Sequence, residues 1–264
     1  MENTRTVSRK ILIAEARKIA TLGDANLAQL SGLCQEKELQ QDYYLGMIRR
    51  QVHLLHDIAT LMESDAHQNF SSISILCRCL LDDFLHVFYL KQCGHEKDEI
   101  INLNAEVHRQ AFLALEVTML SNHKHFKGRY PHYMTKQEFD QLKAHFQSRK
   151  ENNIFFRNKA SFSFKRFKTL SEVAEGIADF ELSKLSRRAY YIWKDTSEFI
   201  HYSNATFERE SSQDDHLHNL YLIEEVMLYA YNTIELSWRH FADVLAFQLI
   251  DQDQLKDRYA INYQ

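Results

Sequence analysis

One proline, Pro131, and six glycines are the only strong backbone breakers in this chain of 264 residues. Tight turns and irregular loops draw on both residue types, so a chain this poor in them is driven toward long helices with short connections. Leucine, alanine, glutamate, lysine and glutamine, which extend helices well, are plentiful. The expected fold class is all-α, an up-and-down bundle of about seven helices. The length suits one substantial core. A single domain over 1–264 is expected, with 1–66 forming a helical hairpin packed on a core at 67–250.

Apolar periodicity places the helices. Leu12, Ala16, Ile19, Leu22, Leu27 and Leu30 predict a first helix over Val7–Leu30, and Tyr44, Ile48, Val52, Leu55, Ile58 and Leu61 a second over Lys37–Glu63. Phe70–Leu90 is apolar nearly all round, which marks a helix at the centre of a bundle. A fourth helix is expected over Lys97–Leu120, and Gly128 and Pro131 make Ser121–Met134 a loop or an excursion at a bundle end. Thr135 with Glu138, and Thr169 with Glu172, have the T-x-x-E form of a capping box and set helix starts near 136 and 170. Further helices are expected over Ser183–Asn204 and, after the polar break at 211–216, to Ile250.

The formal charge of −4 gives no global attraction for nucleic acid or for an anionic membrane, so any anion site must be local. Cys34, Cys77, Cys79 and Cys93 lack framework spacing, and free thiols in a reducing compartment are expected. No segment offers the roughly 20 uninterrupted apolar residues of a membrane span. A soluble, cytoplasmic protein without a membrane partner is the reading.

Two anomalies carry chemistry. Lys194, Ser197 and His201 stand at i, i+3 and i+7 and share one helical face, so a cation, a hydroxyl and an imidazole point the same way. The plain alternative is a backbone-bonded serine and a satisfied core or surface histidine. Arg78 lies inside the apolar third helix, where a guanidinium that never discharges needs an acid or a polar cavity. Asp82, at i+4, and Asp83 are the local candidates. Either they form a packing ion pair with Arg78, or Arg78 and Asp82 face the Lys194–His201 stripe and complete a polar site.

The arrangement Arg78-x-x-x-Asp82, followed downstream by W-K-D-T-S-E-F-I-H-Y-S from Trp193 to Ser203, resembles a large bacterial family of helical proteins. That family carries R-x-x-x-E in a central helix and Y-x-x-L-S-x-x-x-H near its C-terminal third. It resembles in turn the HEPN superfamily, whose metal-independent ribonuclease site is built from an arginine and a histidine. The similarity covers Phe70–Phe247, and Asp82, Trp193 and Thr196 depart from the pattern, as does Lys194 where the ribonuclease motif has arginine.

The resemblance implies a HEPN-like core and a metal-independent endoribonuclease in a toxin or phage-defence role. Its alternative is a non-catalytic module that binds RNA, nucleotide or a partner protein. It implies no cofactor and no metal. His201 would move the proton of a ribose 2′-hydroxyl attacking its neighbouring phosphate. Lys194 or Arg78 would hold the phosphoryl oxygens, and Ser197 would orient the imidazole or donate to phosphate. Asp82, Asp83, Tyr202 and Asn204 would support these groups. RNA, a cognate antitoxin or defence partner, and a second copy in a homodimer are the implied partners.

Arg149–Lys168 carries seven basic residues against one acid, interleaved with Phe155, Phe156, Phe162, Phe164 and Phe167. Arg157, Lys159, Lys165 and Arg166 are candidates for RNA phosphate contacts. The other reading is a connector whose rings pack while its charges stay in water. His123, His125 and His132 lack a nearby ligand at diagnostic spacing and read as solvated loop residues.

Overall fold

The computed structural model describes residues 7–31, 38–65, 69–130, 133–197, 213–245 and 253–261. In chain order the elements are α1 (Arg9–Ser31), α2 (Leu39–Asp65), α3 (Phe70–Gln92), α4 (Glu96–Phe126), α5 (Lys136–Ser148), a 3-10 turn (Lys150–Phe155), β1 (Phe156–Asn158) and β2 (Ser163–Phe164). They continue with α6 (Leu170–Glu175), α7 (Phe180–Ser197), α8 (Gln213–Leu245) and α9 (Asp253–Tyr259). The fold class is all-α, a helical bundle with one minimal hairpin of strands among the described residues. No helix of the described residues is long and apolar enough to cross a membrane.

The chain forms two compact units, Met1–Gly94 with Leu170–Gln264, and His95–Thr169. In the first, α1 and α2 pair along their lengths, and both pack on α8. Gly23 makes this approach possible, because a Cβ there would overlap the Val52 methyl Cγ2 and press on Ile234 Cδ1 at 3.3 Å. Helix α3 packs against α2, α6, α7 and α8, and is central as its apolar sequence requires. Its Phe84 ring meets Tyr229 of α8 at 4.8 Å, and Leu12, Ile48, Leu55, Trp238 and Phe241 are among the buried side chains that complete the core. One stripe of α3 stays partly open, with Ile75, Arg78, Cys79, Asp82 and His86 at i, i+3, i+4, i+7 and i+11.

Polar bonds tie the C-terminal helix to this unit. Arg258 of α9 pairs with Glu15 of α1 and, at 2.6 Å, with Glu224 of α8. The Tyr259 hydroxyl donates to Glu15, and Asn232 Nδ2 donates to the Tyr259 carbonyl at 2.7 Å.

In the second unit α4 runs six residues beyond its expected end and stops where Lys127 and Gly128 take positive φ values of 53° and 72°. The stop is thus set by Gly128, and Ser121–Phe126 is helix rather than loop. Helix α5 begins with the expected capping box: Thr135 Oγ1 accepts from Glu138 N, and the Glu138 carboxylate accepts from Thr135 N at 2.7 Å. The basic aromatic segment folds as the 3-10 turn and the antiparallel pair β1–β2, with Phe156 opposite Phe164. The rings of Phe112, Phe146, Phe156, Phe162 and Phe164 pack on one another.

Candidate functional site

Helices α3 and α7 lie side by side in the first unit. Arg78 is half-buried on the α3 stripe and reaches across, its guanidinium carbon 4.7 Å from the centroid of the Trp193 ring on α7. Tyr190 stacks on the same indole, with centroids 5.6 Å apart and planes at 13°. A guanidinium on an indole face is weakly hydrated and keeps its full charge, a contact of roughly 0.5–2 kcal/mol.

Neither local acid neutralises Arg78. Among the described residues it has no ion pair, and its Nε is buried without an acceptor. The buried Trp193 Nε1 has none either. Two more buried groups without a partner among the described residues follow the same helix faces: Ser74 Oγ, one turn before Arg78, and Ser186 Oγ, two turns before Trp193. Buried donors without acceptors are uncommon, so a seam that holds several is suited to an incoming acceptor.

The expected pairing of Arg78 with Asp83 fails because Asp83 points to α2. Asp83 is 1 % exposed; Gln51 Nε2 donates to its Oδ2 at 2.9 Å, and Arg50 Nη1 lies 3.3 Å from Oδ1. Burial pushes this carboxyl up to about 7; the half-exposed Arg50 opposes the rise, the charge of Asp82 adds to it, and the Gln51 bond opposes it. Asp82, half-buried on the stripe, acts on the same side, where its charge also favours protonated His86. Desolvation nevertheless holds the His86 imidazole below its ordinary value, with Arg50 acting in the same direction. Asp83 therefore belongs to an α2–α3 cluster, and Arg78 rests on α7.

Lys194 is exposed in the last turn of α7, next to Trp193 in sequence, and has no ion pair among the described residues. Ser197 is half-buried, and its Oγ donates to the Trp193 carbonyl at 2.6 Å. The Ser197 proton is thus committed to its own helix, and the oxygen retains only acceptor capacity. His201, Tyr202 and Asn204 lie outside the described residues.

In the second unit Phe155, Phe156 and Phe164 are buried, so these rings are spent on packing and present no platform for bases. Arg157 is exposed without an ion pair among the described residues. Lys159 Nζ donates to Asn153 Oδ1 at 2.7 Å, Arg166 lies 3.7 Å from Glu106, and Lys165 is half-buried.

Sequence reasoning missed Arg50 and Gln51. The signal was Gln51, a polar residue at i+3 from Ile48 and i−4 from Leu55 in the buried stripe of α2, where it is fully covered. A polar side chain at such a position requires a partner.

No curated protein and no solved structure matches the chain. Residues 41–217, from α2 into the start of α8, match the family model of DUF5677, a family of unknown function.

Proposed function

We propose that this chain, which belongs to the DUF5677 family, is a HEPN-like, metal-independent endoribonuclease with a toxin or phage-defence role. The observation that carries the reading is Arg78, a half-buried cation that among the described residues has no acid partner and keeps an unused donor, held against Trp193. A guanidinium in that state is prepared for an oxyanion, and a phosphodiester supplies one. Lys194, exposed on the adjoining turn of α7, adds a second positive charge.

His201 would then act on the ribose. It accepts the 2′-hydroxyl proton as the 2′-oxygen bonds to phosphorus and the bond to the 5′-oxygen breaks; the leaving 5′-oxygen takes a proton from water, giving a cyclic phosphate and a free 5′-hydroxyl. Arg78 stabilises charge on the non-bridging oxygens, an effect that grows where water is excluded. A homodimer and a cognate antitoxin or defence partner belong to this reading.

The experiment is incubation of the purified chain with diverse RNAs in EDTA, beside His201→Ala and Arg78→Ala. Cleavage that both substitutions abolish supports the proposal. Intact RNA, or equal cleavage by His201→Ala, overturns it.

A second reading is favoured by Ser197, whose proton is bound to the Trp193 carbonyl instead of serving an imidazole. Under it the seam binds RNA, nucleotide or a partner without turnover. Arg78→Ala then weakens binding, and no RNA is cut.

A further inference from the structure

The connection between α4 and α5 is organised by one buried amide. Asn122, 8 % exposed, donates from Nδ2 to the Tyr130 carbonyl at 3.1 Å and accepts from Tyr130 N at Oδ1 at 3.4 Å. Its own carbonyl accepts from Gly128 N at 3.1 Å. These bonds fold the chain back along the last turns of α4 and hold a cavity of about 390 Å³ open there.

The walls are Met119, Met134, Tyr130 and Tyr133, and the charged or protonatable groups at the rim are His123 and Lys136. Among the described residues no acid lines the cavity. Glu138, one turn into α5, has its carboxylate occupied by Thr135 N and Oγ1. Lys136 has no ion pair among the described residues and is exposed. The volume is at the small end of the roughly 300–1,000 Å³ of ligand pockets. Thioethers and phenol rings favour a flat aromatic guest, and a lone ammonium at the rim favours an anionic substituent on it.

We infer that this cavity binds a planar aromatic ring carrying an anionic group, the chemistry of a mononucleotide. The ring lies among Met119, Met134 and the two tyrosines, and the phosphate reaches Lys136. The nucleotide is either free or one unit of an RNA strand. This inference does not depend on how the α3–α7 seam is read.

The test titrates the full chain with adenosine 5′-monophosphate, adenosine, inorganic phosphate and a short single-stranded oligoadenylate, followed by calorimetry. The monophosphate is expected to bind saturably and adenosine about tenfold more weakly, a difference near 1.4 kcal/mol. Inorganic phosphate alone leaves no heat. Lys136→Glu reduces monophosphate affinity about tenfold and leaves adenosine binding unchanged. Met134→Trp fills the cavity and removes both. Thermal unfolding of each variant establishes that it folds, and Met134→Leu, which keeps the space, retains binding. Displacement of the monophosphate by the oligonucleotide assigns the occupant to RNA; saturable monophosphate binding without displacement assigns it to a free nucleotide. No saturable binding, equal affinity for adenosine and its monophosphate, or binding indifferent to both Lys136→Glu and Met134→Trp overturns the inference.

Discussion

Arg78 lies on the face of Trp193, and both side chains carry buried nitrogen donors that meet no acceptor among the described residues. Two helices far apart in sequence thus place an unneutralised cation beside an indole. That relationship gives the first prediction. Arg78→Ala is expected to weaken single-stranded RNA binding at least about tenfold, near 1.4 kcal/mol, with Arg78→Lys recovering only part because an ammonium lacks the planar stack. Fluorescence anisotropy at fixed salt reads the difference. Equal affinities for the three proteins would remove the seam from RNA recognition.

Asp83 sets a pH dependence. Its folded value near 7 lies above its ordinary 3.8, so between those values the native state keeps a proton that the unfolded chain releases. Stability from this group therefore falls as pH rises from about 4 to 7 and is level above that, by no more than about 4 kcal/mol. Asp83→Asn keeps an acceptor for Gln51 and removes the ionisation. Urea unfolding at pH 5 and pH 8 is expected to show a smaller loss of stability in Asp83→Asn than in the native chain.

Gly23 is a contact residue. Alanine at this helical position would gain about 1 kcal/mol from propensity alone. The added methyl overlaps a buried, β-branched Val52 that has little freedom to move. Overpacking is expected to prevail, and Gly23→Ala to destabilise by roughly 1–3 kcal/mol in urea unfolding.

Arg258 and Arg188 both pair with glutamates, yet their loss should differ. The Arg258 side chain is 18 % exposed and its Glu15 partner 9 %, whereas Arg188 is 55 % exposed beside Glu225. Removing Arg258 leaves a buried carboxylate, and Arg258→Met is expected to cost on the order of 3 kcal/mol. Arg188→Met should cost about 1 kcal/mol or less. Denaturant midpoints of the two variants give the comparison.

The sequence by itself determined the helices and much of the core. Few breakers, period-3.6 stripes and the Thr135 capping box are local signals, and α1, α2, α3 and the start of α5 stand within a few residues of where those signals place them. It also singled out Arg78 as a cation needing an explanation. Tertiary structure decided the explanation. Which group a guanidinium meets depends on how helices distant in the chain pack, so local spacing offered Asp82 and Asp83, and packing delivered Trp193 from α7. The same packing set Arg50 and Gln51 of α2 on Asp83. Periodicity tells which face of a helix is buried; only the neighbouring helix determines what that face touches.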